Sequence, residues 1–415
     1  MLEKPKTSAQ QQVRKMLIVE RKLVRNNGHF HTQISALQRL LPNHSCHILA
    51  GDGYDDFLGP AVGKFGVDAS KLAKLAARAK YGSIRQKLAA FLTIAMRGKP
   101  SLRPPEPMVD TLVEACKRLG LSRQDLVIIP SADLNMLEAA QIVAERLGSK
   151  APAICLRFLS PDFGEHDHAI RKRALNAAAK MNSDRITLFS ETVEFAGYAQ
   201  AQFGLSIHPY FYLPCSIELT ATQPCKTGNI RTFRVGIFGA PRLEKGSRRL
   251  HGIVEATAQA TQSSTPPIQF IIQGSEPDFG NSGIYKDLAS FASHNGKVSV
   301  EQHSALMDQD DFIALFQSVD AVLLPYEVSL YSLQGSGVVQ DAVAARKLII
   351  HSDKMAMAEM LSHGNAFGAT TNEEFAREIV KTTNISQADV ESATEQAFAH
   401  FQRGQKNHPI SKVFL

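Results

Sequence analysis

The sequence has few of the features that mark secreted, zinc-binding or membrane-spanning proteins. Only five of its 415 residues are cysteines, and they are widely scattered. No two of them have the C-x-x-C spacing of a zinc or redox site. No run of about 18 apolar residues is present to cross a bilayer, and the polar first 15 residues lack the apolar stretch of a signal peptide. These absences predict a chain in the cytoplasm, either free or at the inner face of the membrane.

Common nucleotide-binding signatures are also missing. The glycines do not have G-x-G-x-x-G spacing and the G-x-x-x-x-G-K-[ST] loop is absent, which disfavours a nicotinamide enzyme or a kinase. No D-x-D triplet lies in a loop at a strand end, because Asp308-Gln309-Asp310 precedes a helix and is typical of an N-cap. We therefore expect no metal ion and no resident cofactor.

Acidic residues are nearly absent from residues 64–103. Ten lysines or arginines stand there against one acid, Asp68, although the whole chain carries a net charge of only +6. Apolar residues recur between the basic ones at helical spacing, which predicts basic amphipathic helices. Two interpretations stay open: contact with an anionic membrane or a polyanionic acceptor, or a solvated surface helix. Nucleic acid is not expected as a partner, because no RNA-binding or zinc-finger signature accompanies the charge.

The sequence is rich in apolar strands that alternate with amphipathic helices. Nearly continuous apolar strands are typical of parallel sheets that helices cover on both faces. In the first half the predicted strands are 16–20, 46–51, 125–132, 152–160, 185–191 and 208–214. In the second half they are 233–240, 268–274, 297–303, 321–327 and 347–352.

The break between the two halves is polar and rich in turn residues. We predict a first domain at 1–215, a linker at 216–230, a second domain at 231–387, and a C-terminal helix and tail at 388–415 that pack back on the first domain. The predicted fold class is α/β, with two Rossmann-like doubly wound domains that face each other across a cleft. Ligands of such sheets bind outside the carboxyl ends of the strands, so the loops there are the candidate sites.

The first such loop is a glycine turn, Asn26-Asn27-Gly28, that leads into a helix. Gly28 allows the backbone to approach a ligand closely, and the helix start offers N–H groups to an anion. His29 and His31 flank the turn and are candidates for contact with a phosphate or a second substrate. From the loop alone, an ordinary strand–turn–helix connection is the better explanation.

The strongest candidate site opens the second domain. A strand runs into Gly239, and the cations Arg242 and Lys245 precede a helix. Two cations beside a helix N-terminus suit a diphosphate, because their full charges add to the helix dipole. The alternative is a basic surface loop.

A second helix start in the same domain has the composition of a phosphate site. Ser336 and the backbone N–H groups of Gly337 and Val338 are candidates to bind phosphate oxygens. Asp341 lies more than one turn into this helix, where a carboxylate can accept hydrogen bonds from ribose hydroxyls. Alone, Asp341 fits a solvated helical acid better. This helix start and the loop of Arg242 and Lys245 together, however, favour a nucleoside diphosphate.

These motifs resemble a known family. The segments FGAPRLEKG and LLPYE…GSGVVQDAVAARKLII resemble the donor half of glycosyltransferases with the GT-B fold, especially the large retaining family four, and NNGHFHTQISALQRL resembles that family's first loop. The likeness covers both domains in architecture, with its specific motifs concentrated in residues 231–352. It implies that Arg242 and Lys245 neutralise the pyrophosphate of a nucleotide sugar, that 336–338 bind phosphate, and that Asp341 holds the ribose.

The sequence departs from the family pattern at two points. The family signature has two glutamates eight positions apart, and here Asp341 stands at the second position while Leu333 occupies the first. The two cations are three residues apart rather than five. Glu327, at a nearby strand end, is our candidate to compensate for the missing glutamate, and it completes the predicted catalytic set with the two cations. Tyr326 beside it is assigned to the nucleotide site.

The implied activity is transfer of a sugar, with retention, from a nucleoside-diphosphate donor to a glycan, lipid-linked or polysaccharide acceptor. The cations and the helix start would stabilise the leaving diphosphate without an obligatory metal. Contacts with the acceptor are expected from His29, His31 and Asp133. Residues 160–169, which carry several ionisable groups, fit a polar acceptor loop better than a metal or base site.

Two other functions stay open. A sugar-nucleotide epimerase shares the fold but needs acid/base carboxylates, for which Asp133 and Glu165 are the candidates in the first domain. A non-catalytic binding protein on a decayed transferase fold is favoured by Leu333. An epimerase would convert the donor alone, whereas a binding protein would hold it without turnover.

Overall fold

The computed structural model of the chain describes most of its residues. These are 13–24, 28–66, 78–80, 82–96, 106–179, 184–213, 232–239, 241–274, 288 and 296–414. The chain divides into two compact units, Met1–Phe158 with Asp162–Leu188 and Leu159–Pro161 with Phe189–Leu415.

The division lies earlier in the chain than the domain boundary predicted at residue 215. Residues 189–213 belong to the second unit, since they contact its later segments, as in the hydrogen bond that the Thr192 hydroxyl donates to the Leu333 carbonyl. The linker predicted at 216–230 lies outside the described residues.

The first unit is built on a six-stranded sheet with the order β3-β2-β1-β4-β5-β6. Its strands are β1 (Lys15–Glu20), β2 (Ser45–Gly51), β3 (Ala61–Phe65), β4 (Leu126–Ala132), β5 (Ala153–Phe158) and β6 (Ile186–Ser190). Its helices are α1 (Gly28–Leu40), α2 (Ile84–Met96), α3 (Glu106–Arg118), α4 (Leu134–Leu147) and α5 (His168–Ala178). Strand β1 pairs in parallel with β2 and β4, and residues 16–19 are all buried, so both faces of this central strand are covered.

The second unit repeats this arrangement, with the order β12-β11-β10-β7-β8-β9. Its strands are β7 (Phe233–Ile237), β8 (Ile268–Gln273), β9 (Val298–His303), β10 (Ala321–Leu324), β11 (Leu348–Ser352) and β12 (Ala366–Ala369). Its helices are α6 (Val193–Phe203), α7 (Leu250–Ala260), α8 (Gln309–Gln317), α9 (Val328–Tyr331), α10 (Gly337–Ala344), α11 (Ala358–Leu361), α12 (Asn372–Thr382) and α13 (Gln387–Lys406). In both sheets the chain adds two strands on one side of the first strand and three on the other, which is the Rossmann order.

The apolar residues of the second sheet alternate between two cores. Val322 and Leu324 of β10 lie in one buried cluster, whereas Ala321 and Leu323 lie in the other. Such alternation, with both clusters buried, shows that helices cover both faces of the sheet. The predicted α/β fold with two Rossmann-like units is confirmed.

Helix starts follow the capping chemistry of the sequence. Asp308 caps α8 by accepting a hydrogen bond from the Asp311 N–H, as the sequence predicts, and Thr371 with Glu374 forms a capping box at α12. The predicted C-terminal helix is observed as α13, which packs on α10 and α11. Beyond it, the His408 ring nitrogen Nε2 lies 3.0 Å from the Tyr212 carbonyl oxygen.

One predicted strand is wrong, and two observed strands were not predicted. Residues 208–214 form no strand within the part that the structure describes, but only a single bridge between His208 and Phe189. The Phe211 and Tyr212 side chains are buried, so the apolar pattern of residues 208–214 indicates burial and not strand pairing. Strands β3 and β12 are the additions. In the described part of the chain, no helix has the length and apolar character needed to cross a membrane.

Candidate functional site

The loops after β7 and β10 meet where the strand order of the second sheet reverses. In open α/β sheets this is the position at which ligands bind, because the loops diverge there and leave a crevice. Gly239, Arg242 and Lys245 follow β7, while Tyr326 and Glu327 follow β10. The fold therefore brings these five predicted site residues to the same edge of one sheet.

Gly239 leaves space for the Lys245 ammonium group to lie against the backbone. Gly239 has a φ of +85°, and a Cβ at this position would overlap Lys245 Nζ. Its N–H donates a hydrogen bond to Gln273 Oε1 at 2.7 Å, and Gln273 Nε2 donates to the Ala305 carbonyl at 3.2 Å. The buried Gln273 side chain thus fixes the end of β7, and the absence of a side chain at Gly239 leaves room for the lysine.

Gly246 joins the loop of the two cations to the end of β10. It has a φ of +74°, and a Cβ there would overlap the Pro325 carbonyl oxygen. The Glu327 N–H donates a hydrogen bond to the Glu244 carbonyl at 2.9 Å. The two loops are therefore held together by backbone contacts that only glycine at position 246 permits.

The two cations have different environments. Burial, and then the neighbouring Arg242 charge, lower the pKa of Lys245 to about 8, and the Glu244 carboxylate opposes this. The Arg242 side chain is 53% exposed, and its Nη1 lies 3.3 Å from Glu244 Oε1. An anion at this edge would meet one cation that is already desolvated and a second that is accessible.

Two buried tyrosines pack beside the cations. The Tyr326 and Tyr331 ring centroids are 4.4 Å apart, and Lys245 Nζ lies 5.9 Å from the Tyr326 centroid. Burial raises the pKa of both hydroxyls, that of Tyr331 to about 12, while Arg242 lowers both. Both tyrosines are therefore neutral at physiological pH, and they can bind a ligand only as neutral hydroxyls or apolar rings.

The start of α10 is the third part of the site. Ser336 is the N-cap of this helix, but its side chain makes no capping hydrogen bond. The backbone N of Ser336 lies 3.1 Å from Met357 Sδ. A Cβ on Gly337 would meet nothing within 4 Å, so there is open space beside this residue. Gly337 and Val338 are the first residues of α10, so their N–H groups lie at the positive end of the helix dipole.

The two acidic residues predicted for this site differ in exposure. Asp341, the candidate ribose ligand, is 8% exposed, so it is not the solvated helical acid that its sequence context alone favoured. Glu327 is exposed, and its side chain makes no capping hydrogen bond to the short helix α9 that follows. The role of Glu327 in compensating for Leu333 stays a prediction.

Sequence reasoning missed a third carboxylate, Glu191. It directly follows β6 and is buried, and its Oε1 accepts a hydrogen bond from Gln340 Nε2 of α10 at 3.0 Å. A Cβ on Gly335 would overlap Glu191 Oε2. The only signal in the sequence was a polar residue at the end of an apolar strand, where loops of α/β sheets carry ligand contacts.

The first unit has an ion pair at its own reversal point, between β1 and β4. The Arg21 guanidinium contacts the Asp133 carboxylate. Asp133 also accepts a hydrogen bond from the Met136 N–H at 3.0 Å as the N-cap of α4. The predicted acceptor residue Asp133 thus orients Arg21 and caps a helix in this structure.

The other predicted acceptor residues lie on α1. Gly28 is the first residue of this helix, as the turn predicts, and the side chain of His29 lies outside the described residues. His31 is half-buried, with its ring centroid 5.8 Å from that of Phe57, and burial lowers its pKa. His31 is therefore neutral at physiological pH and can either donate or accept one hydrogen bond.

Glu20, the last residue of β1, is a buried carboxylate that sequence reasoning did not single out. Burial raises the pKa of Glu20, while Ser131 and the Lys22 N–H, which donates at 3.0 Å, oppose the shift. A carboxyl group with a raised pKa at a strand end has the properties of a general acid. It adds a candidate acid to the Asp133 and Glu165 carboxylates that an epimerase would need.

The ionisable loop at 160–169 uses its side chains locally. His166 Nδ1 lies 3.0 Å from Asp162 Oδ2, Glu165 accepts a hydrogen bond from the Asp167 N–H at 3.0 Å, and Asp167 caps α5. The second ionisable histidine of the loop, His168, is the first residue of α5. Nowhere among the described residues do three or more His, Cys, Asp or Glu side chains come together in a group that could hold a metal ion.

Helix α2 is the best described part of the basic segment 64–103. It is helical as predicted, but its large apolar side chains are at the surface, with exposed fractions of 79% for Ile84, 59% for Leu88, 60% for Phe91 and 62% for Leu92. Basic residues accompany them, and the sequence of the helix contains no acid. Within the part of the chain that the structure describes, the apolar stripe packs on no core, and both interpretations of the segment stay open.

Comparison with known proteins identifies the fold. No protein-family model and no curated protein sequence matches the chain. A structure of trehalose-6-phosphate from E. coli bound with UDP-2-fluoro glucose matches with a TM-score of 0.64 at 10% identity, over 96% of this chain and 99% of that chain. A UDP-forming α,α-trehalose-phosphate synthase from Burkholderia xenovorans in complex with glucose-6-phosphate matches with a TM-score of 0.62 at 10% identity, over 96% and 100%.

A third match concerns glycosyl transfer with retention. It is a trehalose-6-phosphate synthase studied with bisubstrate glycomimetics, and it has a TM-score of 0.60 at 11% identity, over 96% of this chain and 98% of that chain. Identities this low establish the fold and not the activity. The likeness extends over almost the full length of each chain, and it confirms that this protein has the GT-B fold that its motifs predict.

Proposed function

We propose that this protein is a glycosyltransferase that takes a sugar from a nucleoside-diphosphate donor and transfers it, with retention, to a carbohydrate acceptor. The observation that carries the proposal is the position of Arg242 and Lys245 at the reversal point of the second sheet, where glycines 239 and 246 fix their loop against β10. A structure of the same fold is bound with UDP-2-fluoro glucose, which supports a nucleotide sugar as donor.

The proposed chemistry is electrostatic. As the glycosidic bond to the diphosphate breaks, negative charge develops on the leaving oxygen, and cations aimed at that charge lower the barrier. Arg242, Lys245 and the N–H groups at the start of α10 would supply this stabilisation. We therefore propose transfer without an obligatory metal ion, with Tyr326 and Asp341 contributing to nucleotide binding.

The proposed acceptor is a glycan, a lipid-linked sugar or a sugar phosphate. The first two come from the family that the sequence motifs resemble, and the third from the Burkholderia xenovorans structure, which holds glucose-6-phosphate. His31 and Arg21, the latter oriented by Asp133, are the described groups that we assign to the acceptor. A role in polysaccharide synthesis and a cytoplasmic location belong to the same proposal, and the free thiols of Cys46, Cys116 and Cys155 agree with a reducing compartment.

We also propose that α2 brings the protein to anionic membrane surfaces, where lipid-linked acceptors are found. The exposed stripe of Ile84, Leu88, Phe91 and Leu92, combined with basic residues and no acids on the helix, is the pattern of a helix that lies in a membrane interface. The alternative, a solvated surface helix, would not be expected to expose four large apolar side chains.

The donor proposal is tested by a thermal-shift and calorimetry screen against nucleoside diphosphates and their sugar conjugates, in buffer with a chelator. A ligand at a hundredfold excess over its dissociation constant should stabilise the fold by about 2.7 kcal/mol. Arg242→Ala and Lys245→Ala should each weaken binding at least about tenfold, since each removes a charge-assisted contact. Arg377→Ala, an exposed arginine on α12, is the matched control and should bind like the wild type.

Three outcomes discriminate between the functions. Release of the sugar from the matching donor, with retention of the anomeric configuration as observed by NMR, supports a transferase. Conversion of the donor into an epimeric nucleotide sugar supports an epimerase. Binding without turnover supports a decayed scaffold. No binding by a folded wild-type protein overturns the donor site itself.

A further inference from the structure

Glu191 brings a buried carboxylate to the loop that precedes α10. Its Oε1 accepts a hydrogen bond from Gln340, one turn into the helix, and a Cβ on Gly335 would overlap its Oε2. The next residue, Thr192, donates its hydroxyl to the carbonyl of Leu333 in the same loop. Residues 191–192 are thus hydrogen-bonded to residues on both sides of the Gly335–Ser336 backbone.

The same carboxylate and one of the proposed donor-binding cations, Arg242, both influence the pKa of the buried Tyr331 hydroxyl. Tyr331 is within electrostatic range of Arg242, which lowers its pKa, and of Glu191, which raises it. The charges of Arg242 and Glu191 therefore both act on the Tyr331 hydroxyl. Glu191 is thus linked to α10 although it lies 149 residues before Gln340 in the sequence.

A negative charge beside a diphosphate site selects the part of the donor that it can contact. Phosphate oxygens repel a carboxylate, whereas sugar hydroxyls donate hydrogen bonds to it. The sugar is the uncharged part that is attached to the terminal phosphate. The neighbouring Thr192 contacts Leu333, the position at which the family signature has a glutamate and this chain has none.

From this arrangement we infer that Glu191 is a specificity-determining residue of the donor site, which accepts hydrogen bonds from hydroxyl groups of the transferred sugar. Gln340 orients the carboxylate, and the missing side chain at Gly335 gives it access to the loop. The inference rests on the proposed function, because it requires a nucleotide sugar in this site. It assigns the sugar-binding role to Glu191 rather than to Glu327, which is exposed.

The test compares two affinities in one variant, by calorimetry with the nucleoside diphosphate and with its sugar conjugate. Glu191→Gln keeps the size of the side chain and removes its charge. Binding of the nucleoside diphosphate should be retained or tightened, because a repulsive charge is removed. Binding of the nucleotide sugar should fall at least about tenfold, as expected for the loss of hydrogen bonds to a charged acceptor. Glu395→Gln, a surface glutamate paired with Arg346, is the control and should change neither affinity.

A second variant covers the case in which Glu191→Gln does not fold. Gly335→Ala places a methyl group where the carboxylate lies and should cause the same loss that is selective for the sugar. An unchanged ratio of the two affinities in a folded variant, or an equal loss of both, overturns the inference and leaves the donor site standing. Failure of the wild type to bind any nucleoside diphosphate overturns the proposed function, and the inference with it.

Discussion

At the scale of single residues, Lys245 makes the proposed donor site dependent on pH. Its pKa is lowered to about 8, so the free protein carries this charge at pH 7 and has lost most of it at pH 9. A bound diphosphate favours the charged form, so binding above pH 8 must take up a proton. We predict that affinity for a nucleotide sugar, whose diphosphate does not itself ionise in this range, falls about tenfold from pH 7 to pH 9.

Calorimetry at four pH values between 7 and 9 measures this dependence. Lys245→Ala should bind more weakly at pH 7 and should show a flat profile, because the titrating group is gone. A wild-type profile that is equally flat would contradict the assignment of Lys245 to the diphosphate.

Residues that act through local sequence were predictable, while those that act through tertiary contact were not. Arg242 and Lys245 were found because a strand, two cations and a helix start are adjacent in the chain. Glu191 was not, because its partners Gln340 and Gly335 lie 149 and 144 residues away along the chain. No spacing rule connects them, and only the fold brings them together.

At the scale of elements, the turn at Gly246 links the two loops of the site. The residue has a φ of +74°, and a Cβ would overlap the Pro325 carbonyl. We predict that Gly246→Ala destabilises the second unit by about 2 kcal/mol or more, because it adds backbone strain and displaces β10 from the loop. Nucleotide affinity should fall with it, since the Arg242–Lys245 loop loses its anchor.

Chemical denaturation and the calorimetric assay measure the two effects. Gly404→Ala is the matched control, because Gly404 lies exposed within α13 and a Cβ there meets nothing within 4 Å. It should stabilise the protein by about 0.5–1 kcal/mol through helix propensity. Equal effects of the two substitutions would contradict the role of Gly246.

Elements with strong apolar patterns were predicted, and weakly patterned ones were missed. Strand β3 (Ala61–Phe65) and strand β12 (Ala366–Ala369) are short edge strands that contain glycine, so they lack the long buried run that marks a central strand. The reverse error occurred at 208–214, where Tyr210 has a φ of +67° and Pro209 has no N–H to give to a sheet. Apolar content predicts burial better than it predicts strand pairing.

At the scale of the whole molecule, the duplication of one sheet order explains why two candidate sites exist. Each unit reverses its strand order beside its first strand, and each places ionic groups there, Arg21 with Asp133 in the first and Arg242 with Lys245 in the second. The first site pairs one cation with an acid, whereas the second has two cations, of which only Arg242 is paired with an acid, Glu244, in the described contacts. This difference in charge supports assigning the anionic donor to the second unit and the acceptor to the first.

The attachment of the whole molecule to membranes depends on α2. We predict that the protein sediments with vesicles containing phosphatidylglycerol and much less with pure phosphatidylcholine, because exposed apolar and basic side chains act together.

The double variant Leu88→Gln/Phe91→Gln should bind at least about tenfold more weakly, given the ~1.5–3 kcal/mol that burial of each such side chain contributes. Raising the salt concentration should weaken the wild type as well, since screening reduces the lipid attraction. Leu306→Gln, at a leucine of the second unit that is 70% exposed, should bind like the wild type. If the double variant and the wild type sediment equally, α2 is a solvated surface helix and the acceptor is more consistent with a soluble sugar phosphate than with a lipid-linked glycan.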